Sequence, residues 1–386
     1  MKKDIFKMLL YIFLLIPFFQ IEYLTITYPV FSSIYKILLL FSEISIILLY
    51  LKGNKLSKIT LYVTIFELVL IFASILNSSE VSTQINVAIK LISLTCLIDY
   101  GVKNDTKNFI NAFLLLLEIL IYSNFISILI YPDGMYDTHL QSYNWILGYD
   151  NSHIIYFITA FYISYINKML NKNQNFRFIL LTIISMLSVF IRFSATSIVG
   201  YSLILLFMIF NKTLKNTKIF NIYNYLITNL ILFFSIVIFR VQNLFSYLIV
   251  NILHKDLTFT NRTGIWDRTI AYINKSILFG YGLESSTIRS TKNNFIYGIN
   301  AHNFILEIMY QGGILALISF VAILISACKK LYKYKNNMVS KVVSFVIFVL
   351  FLMMITEYYN IQFIFIVLVF AFNIEYIIKK IGDSNE

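Results

Sequence analysis

Apolar runs of about 15 to 25 residues recur along the whole chain, close to the roughly 20 that carry an α-helix across a bilayer. No soluble core accommodates so many. Of 386 residues 59% are hydrophobic and only 13% charged, and Pro occurs three times. The pattern predicts an all-α integral membrane protein, because helices satisfy their own backbone hydrogen bonds in lipid. Spans are expected near 6–24, 31–51, 59–76, 85–100, 109–131, 154–167, 178–192, 195–211, 226–240, 303–328, 342–357 and 360–378, about twelve in all.

The formal charge of +12 first suggests nucleic acid as a partner, but the cations sit in short clusters between apolar runs. They read as topology signals, since lysine and arginine collect in cytoplasmic loops. Clusters fall at Lys2, Lys3 and Lys7; Lys52, Lys55 and Lys58; Lys103 and Lys107; Lys168, Lys172 and Arg177; Lys212, Lys215 and Lys218; Lys329 to Lys341; and Lys379 and Lys380. The alternate connections around Thr27, Ser78, Asp133 and Tyr358 hold neither Lys nor Arg. Both termini are therefore expected in the cytoplasm, with the first span an uncleaved start. Cys96 and Cys328 stand alone, without the spacing of a metal site or a redox pair, and neither a disulfide nor a metal is expected.

One connection is far longer than the two to eight residues usual between packed helices. Residues 241–302 divide the chain into a first membrane region, 1–240, and a second, 303–386. Within this loop lie an apolar stretch, Leu244 to Leu253, and an apparent helix with Trp266, Ile270, Ile273 and Ile277 on one face. The loop is either a plug over the bundle or a functional element. Its charge favours function. Seven Lys or Arg against three acids lie between Arg240 and Ala301, an excess that topology does not require.

Arginine and lysine are also segregated. Of six arginines, five (Arg192, Arg240, Arg262, Arg268 and Arg289) map outside, and only Arg177 inside. The planar guanidinium makes two parallel hydrogen bonds to phosphate or carboxylate, so the outer arginines point to an anion site. Arg192, at the end of a span, needs a cavity, a partner or an interface to snorkel to. Arg262, near a helix start, opposes the macrodipole unless an anion or Asp267 relieves it. Four histidines, His139, His153, His254 and His302, all map outside or to the interface. His302 opens a span whose Asn303, Glu307 and Gln311 form one polar stripe, which serves either chemistry or hydrogen bonding between helices. An imidazole at that mouth is suited to exchanging a proton near neutral pH. Lys90, Glu67 and Glu118 are ionisable groups within spans.

Asn261-Arg262-Thr263-Gly264-Ile265-Trp266, Phe279-Gly280-Tyr281-Gly282, Ala301-His302-Asn303-Phe304-Ile305-Leu306 and Gly312-Gly313 follow one another in an order that resembles the O-antigen polymerase and ligase family. Gly148 to His153 and Arg192 to Ser197 look similar to that family's upstream polar stations. The resemblance, over about residues 140–320, implies a GT-C-like glycosyltransferase. It implies a metal-independent, inverting enzyme without a cofactor, acting on undecaprenyl-diphosphate-linked oligosaccharides at the outer face of a bacterial cytoplasmic membrane. Under it His302 is the base for the acceptor hydroxyl, and Arg262, Arg192, Arg240 and Arg268 form the diphosphate clamp. Trp266, Tyr281 and Trp145 are candidates to stack on sugars, and His153 and Asn303 complete the substrate-binding set. No D-x-D pair offers a divalent-ion site. A polymerase of capsular, exopolysaccharide or O-antigen repeat units is expected, with membrane lipid, a flippase and a chain-length regulator as partners. A ligase, or a flippase for the same lipid-linked glycan, is the alternative. A flippase needs polar groups along its route, whereas these stations gather outside.

Overall fold

A computed structural model describes residues 2–53, 56–138, 143–171, 174–210, 218–247, 251, 256–259, 261–294 and 299–385. His139 and His254 lie outside these, with Lys55, Lys172, Lys212, Lys215, Lys255 and residues 248–250 and 252–253 of the apolar stretch. The described residues are overwhelmingly helical. In chain order the helices are α1 (Lys2–Leu15), α2 (Glu22–Thr27), α3 (Pro29–Gly53), α4 (Lys58–Leu76), α5 (Val81–Asn104) and α6 (Thr106–Ile130). A two-stranded hairpin follows, β1 (Asn144–Trp145) with β2 (Gly148–Tyr149), then α7 (His153–Leu170), α8 (Asn175–Arg192), α9 (Ala195–Phe210) and α10 (Ile222–Phe233). The long loop carries α11 (Arg262–Lys275) and α12 (Ser286–Asn293), and the chain closes with α13 (Phe304–Lys333), α14 (Met338–Met353), α15 (Ile361–Phe372) and α16 (Ile374–Asn385).

Every expected span overlaps a helix. By length and hydropathy, six of the described helices can cross a membrane, or seven if α15 and α16, bent by 55°, count as one span. Three shorter apolar helices, α9, α10 with its π-helical extension to Ile238, and α14, stand beside them. α1 stops at Leu15 because Pro17 sits in a 3-10 turn, Ile16–Phe18, where the missing N–H ends regular helix. Asparagine starts several others: the Asn221, Asn303, Asn337 and Asn360 side chains accept from backbone N–H groups of the first turns of α10, α13, α14 and α15.

α15 is buried continuously from Gln362 to Ala371 and is apolar almost all round, as a helix enclosed by others must be. Around it pack α13, α5, α14 and α7. On α3, by contrast, Ile37, Leu40, Phe41 and Leu48 are all exposed, an apolar surface that only lipid covers favourably. Two of the ionisable groups inside spans, Glu118 and Glu67, have hydrogen-bond partners. Arg177 grips Glu118 with two hydrogen bonds of 2.6 Å, and Gln84 donates to Glu67 at 3.0 Å. Several lysines of the basic clusters have carboxylate partners: Lys7 pairs with Asp105 at 3.3 Å, Lys103 with Asp99 one turn earlier on α5 at 2.7 Å, and Lys330 with Glu375 of α16 at 3.0 Å.

α13 is broken at Gly313, whose φ of 62° only glycine adopts without cost. The break frees carbonyls, and the loop returns to use them. Tyr281 N–H donates to Tyr310 O and Gly282 N–H to Gln311 O, both at 2.8 Å, while Ile314 N–H donates to Ile277 O at 2.8 Å. Gly280 and Gly282 also have positive φ, and a Cβ on Gly280 would strike the Tyr310 carbonyl. The two glycine motifs of the sequence are thus the two halves of one junction, which seats the loop on α13.

Candidate functional site

His302 stands at the mouth of α13, and three sets of contacts fix it there. Asn303 Oδ1 accepts from Leu306 N–H at 3.0 Å as the helix cap, and Asn303 Nδ2 donates to Ile355 O at 2.8 Å. Phe304 N–H donates to Met354 O at 3.2 Å, so the connection between α14 and α15 is stapled beside His302. From the other side, Glu307 Oε2 accepts from Ala301 N–H at 2.7 Å and from Arg289 Nη2 at 2.8 Å. Gln311 completes this carboxylate by donating to Oε1 at 2.8 Å. The polar stripe on α13 therefore positions the residue at its head. Asn303, almost fully buried, acts as a cap and a staple.

The stapled connection brings Glu357 into the site. Arg262 Nη2 donates to Glu357 Oε1 at 2.6 Å, and the other oxygen, Oε2, lies 4.0 Å from His302 Nδ1. Arg262 is the first residue of α11, where its charge opposes the helix macrodipole, and Glu357 supplies the compensating anion. Asp267 is engaged elsewhere, accepting from Arg240 Nη2 at 2.6 Å. The side chains of Arg262 and His302 keep 19% and 22% of their surface open.

The upstream stations lie on the hairpin side of α7 and at the end of α8. Asp150 feels both Glu357 and Arg192. Burial pushes its carboxyl above the usual range and Glu357 adds to this, against the opposing pull of the Asn151 backbone N–H and Arg192. Its Oδ1 is buried without a hydrogen bond among the described residues. Next to it, Ser194 Oγ donates to Asn151 Oδ1 at 2.5 Å and lies 2.9 Å from Ser197 Oγ. Arg192 Nη1 donates to Pro132 O at 2.8 Å, with its guanidinium 4.1 Å from the Trp145 ring centre and 5.2 Å from that of Tyr143.

Backbone strain marks these positions independently. Phe193, Arg240, Asn261 and His302 all have positive φ, at 49°, 53°, 65° and 47°. Each costs of order 1 to 3 kcal/mol unless its surroundings compensate, and such residues cluster at functional sites. Here they flank or include Arg192, Arg240, Arg262 and His302.

The remaining expected residues have the following contacts. His153 is buried; its Nε2 donates to Gly148 O at 2.9 Å, and its Nδ1 accepts from Asn124 Nδ2 at 3.3 Å. Asn124 Oδ1 accepts from Leu147 N–H at 2.9 Å, which fixes the amide orientation and therefore a neutral His153. His153 braces the hairpin that carries Asp150. Trp266 and Trp145 are 0% exposed, so neither presents a face to a sugar. Trp266 lies under the Arg240 guanidinium, 4.9 Å from its ring centre. Tyr281 stacks on Tyr310 at 5.0 Å and carries Lys292 4.4 Å from its ring centre. Arg268 Nη1 donates to Asn293 O and ties α11 to α12.

Sequence reasoning missed Glu357. It counted only cations in that connection, and a carboxylate carries little topological signal. Among the described residues, no group of three or more His, Cys, Asp or Glu side chains is placed to hold a metal ion.

Fold and site together define a helical membrane protein with a polar, arginine-bearing site at one end of its bundle. Residues 179–321 match the family model described as O-antigen ligase, and this supports a protein of the O-antigen polymerase and ligase family, whose members are generally glycosyl-transfer enzymes. Arg192, Arg262 and His302 lie inside the matched segment; Asp150 and Glu357 lie outside it. No curated protein and no solved structure matches the chain.

Proposed function

We propose that the protein is a polymerase that joins undecaprenyl-diphosphate-linked oligosaccharide repeat units at the outer face of the cytoplasmic membrane. The observation that carries this reading is the meeting of Arg262, His302 and Glu357, from segments distant in sequence, at the mouth of α13. In this reading the acceptor sugar hydroxyl gives its proton to His302 Nε2 as its oxygen bonds to the anomeric carbon of the donor. The bond from that carbon to the diphosphate oxygen breaks, and the electron pair leaves with the lipid diphosphate. Arg262 and Arg192 stabilise the charge that grows there, with Arg240 behind Arg262 on the first turn of α11. Attack opposite the leaving group inverts the anomeric centre.

In this proposal the fold is GT-C-like with about twelve spans and both termini cytoplasmic, consistent with the alternation of basic and uncharged connections. Arginines in place of a divalent ion neutralise the diphosphate, so turnover survives EDTA. A flippase and a chain-length regulator act beside the enzyme. The description of the matched family favours one second reading, transfer of a finished glycan to a different acceptor. Purified protein given a single lipid-linked repeat unit distinguishes them. Polymerisation yields a ladder of lipid-linked products spaced by one unit, whereas a ligase leaves the repeat unit unchanged until its own acceptor is added.

A further inference from the structure

At the other end of α13 from His302, four helix ends enclose a small cleft. Phe207 near the end of α9, Tyr225 on the first turn of α10 and Leu331 near the end of α13 line it, with Lys335 from the turn after α13 and Lys341 and Ser344 from the first two turns of α14. Its apolar side is braced by Phe345, whose ring stacks on Phe207 at 4.3 Å and meets Tyr225 edge-on at 5.7 Å. No acidic side chain lines it. We infer that this cleft binds the phosphodiester headgroup of an anionic phospholipid. The inference is independent of the transfer reading above.

Its two cations are uncompensated. Nearby Lys330 and Lys333 share Glu375 at 3.0 and 3.6 Å, whereas Lys335 and Lys341 have no carboxylate partner among the described residues. Lys335 Nζ donates to the neutral Tyr332 hydroxyl at 3.1 Å. Ser344 points to a ligand independently. It is 5% exposed and lines the cleft, yet its hydroxyl has no hydrogen bond among the described residues, while Ser340 one turn earlier donates to Leu331 O at 2.8 Å. Enclosed hydroxyls are normally paired, so this one is available to an acceptor that enters the cleft. Both α10 and α14 begin here, capped by Asn221 and Asn337, and the positive ends of their dipoles add to the lysine charge.

Size and surroundings select a lipid. The enclosed volume, about 10 Å³, admits one oxygen-sized group, so one phosphate oxygen reaches toward Ser344 while the rest of the headgroup lies at the mouth between the lysines. Ile209 and Phe210, which follow Phe207 on α9, are exposed, and so is Ile219 just before α10. These give acyl chains an apolar surface beside the headgroup, which a free phosphate would leave uncovered. A headgroup that carries its own ammonium meets two unpaired lysines of the same sign, so a lipid of net negative charge is preferred. Basic pockets between membrane helices recognise such headgroups by this chemistry.

The experiment titrates the purified full chain in detergent with phosphatidylglycerol or phosphatidylcholine and counts bound lipid by native mass spectrometry. Wild type should bind its first phosphatidylglycerol more tightly than its first phosphatidylcholine. Lys335→Gln combined with Lys341→Gln should weaken that phosphatidylglycerol about 30-fold, from two cations worth about 1 kcal/mol each at a membrane surface. Lys329→Gln combined with Lys379→Gln removes two exposed cations that do not line the cleft and should leave the affinity unchanged. Equal loss in both pairs, or equal affinity for the two lipids, overturns the inference. Displacement of the bound lipid by millimolar glycerol 3-phosphate also overturns it, since the cleft would then take a free phosphate ester. Should the lysine pair fail to fold, Ser344→Ala decides. It deletes only an unpaired hydroxyl, so it should fold as wild type does and bind phosphatidylglycerol about 5-fold more weakly, the worth of one hydrogen bond; wild-type affinity overturns the inference.

Discussion

Arg289 and Glu307 are 3% and 5% exposed, and the loop ending at His302 depends on them. Replacing Glu307 by Met leaves the Arg289 guanidinium in that enclosure without its carboxylate, and its Nε and Nη1 already lack hydrogen bonds among the described residues. Breaking a buried pair from one side costs about 3 to 5 kcal/mol. Glu307→Met also orphans the Ala301 N–H, for about 1 to 3 kcal/mol more. Arg289→Met is milder, since Glu307 retains Ala301 N–H and the Gln311 amide, and it should lie at the lower end of the pair cost. The double variant buries no lone charge, so it should be more stable than Glu307→Met, with a coupling of several kcal/mol in the double-mutant cycle. Denaturant unfolding in detergent measures stability, and glycan transfer measured in parallel reads the loop. Stability should recover in the double variant while activity does not, because Ala301 still lacks the carboxylate that holds it beside His302. Additive effects, or full activity in the double variant, would refute the reasoning.

Three further outcomes follow from the geometry. Cysteine labelling from outside the cell should reach a probe at Ser286 and miss one at Asn337; the reverse pattern would place the site on the cytoplasmic side. Gly280→Ala should lower the yield of folded protein, because a positive φ and the Tyr310 carbonyl both oppose a Cβ, whereas Gly264→Ala, with open space inside α11, should match or exceed wild-type stability. Arg262→Lys keeps the charge but cannot bridge Glu357 and a phosphate with a planar fork, so transfer should fall clearly, and further in Arg262→Ala; wild-type rates in both would reduce Arg262 to a surface cation.

The helices were legible because apolar length and cation placement are local properties. Break points were less so: Pro17 ends α1 early, and Gly313 unwinds α13 only because residues 277–282 return to pair with it. Arg192, Arg262 and His302 were legible as outward ionisable groups at span ends. Glu357 was not, since Arg262 and Glu357 lie 95 positions apart and meet only through the staple at Asn303. Trp266 and His153 carry packing contacts that the sequence did not announce. Their residue types suit ligand binding, but tertiary packing uses the indole beneath Arg240 and the imidazole inside the hairpin.

The central claim is that His302 accepts a proton during glycan transfer at this site, and His302→Ala tests it most directly when donor binding and turnover are measured on one preparation. The variant should fold, bind the lipid-linked donor as wild type does, and transfer glycan about 10²- to 10⁴-fold more slowly, the usual contribution of a general base. A His302→Ala protein that transfers glycan at the wild-type rate would contradict the account.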